Sequence, residues 1–229
     1  MGKKAVIVLS GGLDSTTCMG LAQAEGYELY PLTFDYGQRH DREVEQAKAI
    51  AHHYEVKEHR IVDIGFLNQI GGSALTEDSI SVPTEEEEGI PTTYVPARNL
   101  IFLSLAAAYA EVIEAEAVYT GVSAVDYSGY PDCRPQFISH LEETICRATK
   151  AGEEGRPIRL VTPLIHLSKG ETIREGLRLH VPYHLTTSCY QGGEVACGVC
   201  DSCRLRRKGF ADAEAIDPIP YVDGVKAGG

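Results

Sequence analysis

The sequence predicts an α/β fold in which a parallel β-sheet carries helices on both faces. Short runs of β-branched and other apolar residues alternate along the chain with segments whose apolar residues recur at helical spacing. Such alternation, with right-handed crossovers, packs as a parallel sheet that is covered on both sides. Ligands bind beyond the carboxyl ends of the strands in these sheets, so we expect one crevice to be formed by loops 10–15, 35–42, 94–99, 121–134 and 166–169.

The first half of the chain predicts three strands and two helices. Residues 4–9, KAVIVL, are too few for a helix and suit a strand that is buried on both faces. A helix then begins at Ser15, because Cys18, Leu21 and Ala22 follow it at helical spacing. The next predicted elements are a strand at 28–37, a helix at 44–54 and a strand at 57–64.

A long polar segment separates this half from the rest of the chain. Residues 65–96 contain paired glycines, three prolines and the acidic run 85–88. A loop of this length is usually functional, and we expect it to cover a ligand. The predicted elements that follow are a helix at 98–114, a strand at 115–122, a helix at 136–150, a strand at 157–164 and a helix at 169–179 that Ser168 and Glu171 open as a capping box.

Composition favours a cytoplasmic enzyme or binding protein. The 229 residues are 43% hydrophobic, which suits one domain with a sizeable core. No apolar run approaches the roughly 18 residues that cross a bilayer, and the N-terminus lacks the charge pattern of a secretory signal. The formal net charge of −12 repels phosphate polymers, so we expect no direct nucleic-acid partner and no membrane partner. The dense basic patch 204–208 has two interpretations, contact with RNA or salt bridges to an acidic surface.

The segment SGGLDSTT, residues 10–17, directly follows the first strand and predicts a phosphate cradle. Glycines at this place let backbone N–H groups approach an anion, and the N-terminus of the next helix adds unpaired donors. The segment lacks the glycine spacing and the Lys-Ser/Thr ending of a Walker loop. The alternative interpretation is a Gly-Gly turn that merely connects strand to helix. The predicted nucleotide-binding residues here are Leu9, Ser10, Gly11, Gly12, Leu13, Asp14, Ser15, Thr16 and Thr17.

Four of the seven cysteines lie close together near the C-terminus. Cys189, Cys197, Cys200 and Cys203 have the spacing C-x7-C-x2-C-x2-C, which can wrap one tetrahedral Zn²⁺ in a closed structural site. An iron–sulfur cluster, redox cysteines and disulfides are the alternatives. A metal here would clamp the last predicted helix, 200–215, against the sheet domain.

Three further polar segments follow predicted strands or begin a helix. FDYGQRH at 34–40 combines donors and acceptors where an adenosine would lie, and VPARN at 95–99 carries Arg98 and Asn99 into a helix start that can grip an anion. The loop 122–134 offers carboxylates beside tyrosines, which suit a flat heterocycle rich in N–H groups. Each segment alone is also explained as turn chemistry, and His40 as a surface histidine.

Two of these motifs resemble the PP-loop ATP pyrophosphatases, which cleave ATP between its α and β phosphates. SGGLDSTT is similar to their SGGxDS motif, and PLIHLSKGETIREG at 163–176 resembles the lysine segment of amidating members such as GMP synthetase. The resemblance implies a Rossmann-like nucleotide-binding domain. It also implies that Lys169 supplies the phosphate cation and that Asp14 orients Mg²⁺ or positions backbone donors. Without the resemblance, the alternative interpretation of Lys169 is an exposed residue in the first turn of a helix.

Together with GYPDCR at 129–134 and the four cysteines, the motifs resemble the 7-cyano-7-deazaguanine synthases of queuosine precursor synthesis. The resemblance spans nearly the whole chain. It implies a carbon–nitrogen ligase that converts 7-carboxy-7-deazaguanine and ammonia to the nitrile through an acyl adenylate and an amide, with ATP, Mg²⁺ and one structural Zn²⁺ per chain. It also implies a homodimer. Free ammonia is expected, because no glutaminase segment is evident.

The implied site residues fall into three groups. Asp14, Lys169 and Arg98 are the expected catalytic residues. Asp35, Gln38 and Arg39 join the phosphate cradle in binding the nucleotide. The expected substrate-binding residues are Arg98, Asn99, Asp126, Tyr130 and Asp132.

The expected organisation is a nucleotide-binding domain at 1–185, a zinc-binding region at 186–222 and a flexible tail at 223–229. Two other functions remain open. One is a tRNA-thiolating PP-loop enzyme, although the negative charge and the lack of a basic extension do not favour it. The other is a zinc-ribbon binding module without catalysis, in which the segment SGGLDSTT would have no role.

Overall fold

The computed structural model describes residues 2–37, 42–77, 79–83, 89–123 and 129–222, and its secondary structure forms an α/β fold. The strands are β1 (Lys4–Val8), β2 (Glu28–Asp35), β3 (Arg60–Asp63), β4 (Ala117–Tyr119) and β5 (Arg159–Val161). The helices are α1 (Leu13–Ala24), α2 (Arg42–His53), α3 (Phe66–Ile70), α4 (Arg98–Ile113), α5 (Pro135–Ala148), α6 (Lys150–Glu153), α7 (Lys169–Arg178) and α8 (Asp201–Asp212). Short 3₁₀ turns lie at Pro131–Cys133 and Tyr183–Leu185.

The five strands form one parallel sheet in the order β3-β2-β1-β4-β5. The prediction of a parallel sheet with helices on both faces is therefore confirmed. Because β1 pairs with both β2 and β4, the strand order reverses direction at β1. The carboxyl ends of β1 and β4 consequently define the switch point at which such folds bind ligands.

Alternate residues of the central strands fill two separate cores. Val6 and Val118 belong to the core beneath α4 and α5. Ala5 and Ile7 face the other core, which α1 and α2 cover. Both cores contain side chains with no exposed area, as expected for strands that are buried on both faces.

Several boundaries differ from those predicted. α1 begins at Leu13 instead of Ser15, because Gly12 is already extended and its carbonyl accepts a hydrogen bond from the Thr16 N–H at 3.1 Å. The predicted loop 65–96 contains the short helix α3. The predicted helix 136–150 ends at Ala148, because Thr149 is extended and caps α6 through a hydrogen bond from the Gly152 N–H. The predicted capping box of α7 is present.

The C-terminal part of the described chain is held by a buried ion pair. The guanidinium of Arg206 on α8 donates two hydrogen bonds to the carboxylate of Asp217, at 2.8 and 2.9 Å, and both side chains are almost fully buried. Arg206 also donates to the hydroxyl of Thr186 at 2.7 Å and to the carbonyl of Tyr183 at 3.2 Å. This arginine, placed in the predicted basic patch, therefore has an internal structural role.

Two further charges of that patch meet acidic partners, whereas Arg207 donates to the carbonyl of Gly198 at 3.3 Å. Arg204 pairs with Asp201, and Lys208 pairs with Asp212. These contacts favour the interpretation of the patch as salt bridges. No helix among the described residues is long and apolar enough to cross a membrane.

We expect Asp217→Ala to lower the free energy of unfolding by about 3–5 kcal/mol, because it leaves the buried Arg206 guanidinium without its counter-charge. Urea denaturation monitored by circular dichroism measures the change. The matched control is Glu143→Ala, which breaks the solvent-exposed Glu143–Arg147 pair and should have little effect. Equal effects of the two substitutions would contradict the structural role of the buried pair.

Candidate active site and metal centre

A cavity of about 250 Å³ lies at the carboxyl ends of the central strands. Ser10 and Gly12 follow β1, Phe34 is the last residue but one of β2, and Thr120 follows β4; all four line this cavity. It lies at the switch point of the sheet, where the fold predicts a ligand.

The turn after β1 approaches its neighbours closely because it is built from glycine. Gly11 has a φ of +79°, and a Cβ at this position would collide with the carbonyl of Glu43 on α2. Across the cavity, a Cβ on Gly121 would lie 2.8 Å from the backbone of Asp14 and Ser15. The loop after β4 is therefore pressed against the first turn of α1. Gly121 is a position that the sequence analysis did not single out.

The hydroxyl groups of SGGLDSTT fall into two sets. Ser10 and Ser15 line the cavity, and their hydroxyl oxygens lie 3.1 Å apart. Thr16 and Thr17 are fully buried and donate to the helix carbonyls of Gly12 and Leu13, at 2.7 and 2.9 Å. The hydroxyl of Thr17 also lies 2.8 Å from that of Tyr183. In this structure the two threonines stabilise α1 from within.

Asp14 and Lys169 form an ion pair at the edge of the cavity. The Lys169 ammonium group donates to both carboxylate oxygens of Asp14 at 2.8 Å, although the residues are 155 positions apart. Only 8% of Lys169 is exposed, and a Cβ on Gly209 of α8 would overlap its aliphatic stem. The pair joins the first turn of α1 to the first turn of α7. It holds a cation and an anion beside the glycine turn.

Arg98 enters the cavity from a strained helix start. The preceding Ala97 has a φ of 55°, a left-handed conformation that is unusual for alanine and is often found at functional sites. The Arg98 guanidinium donates to the hydroxyl of Tyr36 at 3.5 Å and lies 5.9 Å from the centre of the Tyr36 ring. Burial and the nearby Glu43 carboxylate raise the pKa of Tyr36 to about 12. The hydroxyl is therefore protonated at neutral pH.

Tyr130 and Cys133 form the wall next to Arg98. The hydroxyl of Tyr130 lies 2.6 Å from that of Thr93, and both Tyr130 and Cys133 line the cavity. Burial and the neighbouring Asp132 raise the pKa of the Cys133 thiol to about 12, while Arg98 opposes this shift. The thiol is therefore an inert wall group at neutral pH.

Asn99 and Asp132 connect the helix start to this wall. The buried Asp132 carboxylate accepts a hydrogen bond from the Asn99 N–H at 2.9 Å. The Asn99 amide donates to the Asp132 carbonyl and to the Cys133 sulfur, each at 3.3 Å. Asn99 lines the cavity. Asp132 lies behind the wall and accepts a hydrogen bond from a backbone N–H group in the first turn of α4, which has no partner within the helix.

The four predicted metal ligands come together. The Sγ atoms of Cys189, Cys197, Cys200 and Cys203 all lie within 4.8 Å of one another, and none of the seven cysteines is in a disulfide. Tetrahedral coordination at about 2.3 Å places sulfurs roughly 3.8 Å apart. The observed separation of 3.9 Å between the sulfurs of Cys197 and Cys203 fits it. Backbone N–H groups donate to the sulfurs of Cys189 and Cys197 at 3.4 Å, which favours thiolates.

The metal centre is also part of the cavity wall. The cavity is lined by the segment 187–190, which leads into the first ligand Cys189, and by Ser202 between the last two ligands. The Thr187 N–H donates to the carbonyl of Gly11 at 3.0 Å, so this segment is anchored on the glycine turn. An isolated bridge between Ala196 and Tyr221 closes the metal region from the other side.

The remaining predicted site residues have different placements. The Asp35 carboxylate accepts from the Gly37 N–H at 3.2 Å and shapes the turn after β2. Gln38, Arg39, His40, Asp126 and the tail 223–229 lie outside the described residues. Arg42 lines the cavity, as expected for the loop 35–42. The sequence analysis missed several other wall residues, namely Glu43, Phe102, Cys189, Tyr190 and Arg206. Glu43 could have been suspected, because it lies in the first turn of a helix next to the polar segment 34–40.

Comparisons with known proteins agree on one family. The family described as "Queuosine biosynthesis protein QueC" matches residues 4–214. A protein of Oceanobacillus iheyensis named 7-cyano-7-deazaguanine synthase is 60% identical over 222 residues, which cover 96% of this chain and 99% of that protein. A protein of the same name from Acetivibrio thermocellus is 57% identical over 224 residues, with 96% and 99% coverage.

A solved structure resembles the fold more distantly. A 4-thiouridine synthetase, determined as an RNA complex with bound ATP, superposes with a TM-score of 0.53 at 18% sequence identity. The match covers 91% of this chain and 53% of that one. At this identity the likeness shows the shared fold alone.

We expect pure protein to contain about one zinc ion per chain and Cys200→Ser to lose it, because three thiolates leave the tetrahedral site incomplete. Elemental analysis measures the metal, and thermal unfolding should show a lower midpoint for the variant. The control is Cys146→Ser, on α5 and outside the cluster. Stable wild-type protein without metal would contradict the assignment.

Proposed function

The chain belongs to the QueC family of queuosine biosynthesis proteins, and from this premise we propose that it is a 7-cyano-7-deazaguanine synthase. The reaction is the ATP-dependent conversion of 7-carboxy-7-deazaguanine and ammonia to the nitrile. The observation that carries the proposal is the shared cavity. Its wall combines a glycine turn at a helix N-terminus, the Asp14–Lys169 pair and the Arg98 guanidinium. These groups suit a triphosphate and an organic acid held side by side.

The glycine turn and the first turn of α1 bind the phosphates in this proposal. Ser10, Gly12 and Ser15 face the cavity and supply backbone and hydroxyl donors. Lys169 then moves from Asp14 to a phosphate oxygen, or contacts both, and balances the charge that develops when pyrophosphate leaves. Mg²⁺, when bound with the nucleotide, would neutralise phosphate charge, and the Asp14 carboxylate beside the glycine turn is a hard oxygen ligand that would hold it.

Arg98 binds the carboxylate of the substrate. Its guanidinium is fixed by the strained helix start and by Tyr36, so it presents its donors without reorganisation. Tyr130 and Asn99 contact the heterocycle from the adjoining wall, and Asp132 positions Asn99 through the backbone. A contact of Asp126 with the heterocycle remains a prediction of the sequence.

The chemistry uses these groups mainly for positioning. The substrate carboxylate attacks the α-phosphate of ATP, and pyrophosphate leaves from the glycine turn. Ammonia replaces AMP at the acyl carbon and forms the amide. A second activation, at the amide oxygen, permits loss of water to the nitrile. Holding the acid and the nucleotide in one cavity supplies most of the rate acceleration, because the reacting groups then meet without a further loss of translational and rotational entropy.

Zinc is the proposed occupant of the four-cysteine site, with a structural role. A closed site of four thiolates leaves no open coordination position for chemistry. Zinc there would hold the segment 187–190 against the glycine turn and so shape the cavity. The division into a nucleotide-binding domain at 1–185 and a zinc region at 186–222 follows from this interpretation.

We also propose a homodimer in the cytoplasm that acts on small molecules and binds no nucleic acid directly. Apolar side chains on the outer face of α4 support a protein–protein contact, since Leu105 and Val112 are 39% and 79% exposed. The net charge of −12 disfavours a nucleic-acid partner. Light scattering coupled to size exclusion measures the oligomeric state, and a monomer would contradict this part of the proposal.

The activity is tested with purified zinc-containing protein, MgATP, ammonium chloride and 7-carboxy-7-deazaguanine. We expect release of AMP and pyrophosphate that depends on the acid, and mass spectrometry should detect first the amide and then the nitrile. ATP turnover stimulated by tRNA without the acid would favour a thiolating enzyme instead. Absence of ATP turnover would favour a binding module.

We expect Lys169→Met to lower kcat/KM for MgATP on the order of 100-fold, because the variant keeps the stem packed on Gly209 but loses the phosphate cation. Asp14→Asn should have a similar effect. Steady-state pyrophosphate release measures both. The control is Lys150→Met, whose exposed side chain lies outside the cavity. Wild-type rates in folded Lys169→Met and Asp14→Asn would show that the phosphate assignment is wrong.

A further inference from the structure

One carboxylate in the cavity has no role in the mechanism above. Glu43 lies in the first turn of α2, its backbone carbonyl packs against Gly11, and the residue lines the cavity. Burial raises the pKa of the Glu43 carboxyl, and Arg98 opposes the shift. Among the described residues, Arg98 is therefore the cation that acts on this carboxyl, and both residues line the cavity.

The surroundings of Glu43 suit a small cation. Phe34, Tyr36 and Phe102 line the same cavity, and their rings form a contiguous group with centroids 4.2 and 5.8 Å apart. Aromatic faces attract cations electrostatically, and the effect grows when water is excluded. A cavity lined by a carboxylate and by aromatic rings therefore suits a compact ammonium ion, whose N–H groups need acceptors on several sides.

Glu43 also lies next to the group that binds the acid. Both Glu43 and Arg98 interact electrostatically with Tyr36, so a carboxylate on Arg98 and a cation on Glu43 would be neighbours. An ionised Glu43 would repel an organic acid bound alone. A cation between them removes that repulsion and brings nitrogen close to the carbon that it must attack.

The proposed reaction requires neutral ammonia, whereas ammonium predominates at neutral pH. We propose that Glu43 is a further catalytic residue, which binds ammonium in the active-site cavity and accepts its proton as the amide forms. This inference rests on the proposed function. A carboxyl of raised pKa is a better proton acceptor than an exposed one, as general base catalysis requires.

The step balances without an additional reagent. One N–H bond of ammonium breaks, and its proton passes to an oxygen of Glu43. The nitrogen lone pair forms a C–N bond at the acyl carbon, and the C–O bond to the phosphate of AMP breaks, with the electron pair leaving on AMP. The second excess proton on nitrogen passes to solvent water, and Glu43 later returns its proton to solvent.

A comparison of ammonium with hydroxylamine as the nitrogen source distinguishes this role of Glu43 from other roles. Hydroxylamine is neutral at neutral pH and has a free nitrogen lone pair, so it attacks an acyl adenylate without a cation site and without losing a proton first. The one excess proton on its nitrogen passes to solvent water as the hydroxamate forms. Glu43→Gln should lower kcat/KM for ammonium on the order of 100-fold, with the hydroxamate rate and the KM for MgATP within about twofold of wild type. Glu43→Asp, which keeps the carboxylate, should recover part of the activity with ammonium. The control is Glu45→Gln, an exposed carboxylate on the same helix.

The alternative outcomes overturn the inference in distinct ways. A raised KM for MgATP with unchanged ammonium kinetics would assign Glu43 to the nucleotide. Equal loss of amide and hydroxamate, or unchanged ammonium kinetics in a folded Glu43→Gln, would show that it does not handle the ammonium proton. Wild-type protein that forms no AMP from the acid and ATP would remove the proposed function itself, and this inference with it.

Discussion

Close backbone packing at the carboxyl end of β1 is the constraint on which the cavity depends. Gly11 lets α2 approach the turn, and Gly121 lets the loop after β4 approach α1. With side chains at these positions, the helix N-terminus and the opposing loop could not lie so near each other. The same close approach brings the backbone carbonyl of Glu43 against Gly11 and the N–H of Thr187 to the carbonyl of Gly11. The lack of a side chain at these two glycines, more than any single polar contact, therefore arranges the site.

The four-cysteine site and the glycine turn are parts of one structure. Segment 187–190 begins at a hydrogen bond to Gly11 and ends within the metal region. Arg206 reinforces it through Thr186 and Tyr183, and the hydroxyl of Tyr183 lies against Thr17 on α1. A structural metal in this position would influence ligand binding without touching the ligand, because it would determine the position of segment 187–190 in the cavity wall.

Much of this arrangement could be predicted from the sequence, because it depends on local patterns. Strand and helix periodicity indicated the parallel sheet, and the capping box at Ser168 and the cysteine spacing were correct in detail. Contacts between distant segments could not be predicted. The sequence around Asp132 does not indicate that its carboxylate accepts a hydrogen bond from the first turn of α4. The sequence around Arg206 does not indicate that its side chain is buried against Asp217. Such contacts depend on which segments the sheet order brings together, so a residue typical of a binding site can have a structural role.

The crossing of α7 and α8 gives one position on α8 an unusual requirement. Gly209 stands inside a helix, where glycine costs about 1 kcal/mol relative to alanine, yet any larger residue there would displace the stem of Lys169. A substitution that makes α8 more rigid at this position would therefore move the Lys169 side chain away from Asp14. Stabilisation screens that replace helical glycines with alanine should exclude this position, since the added Cβ would overlap the side chains of Lys169 and Ile173.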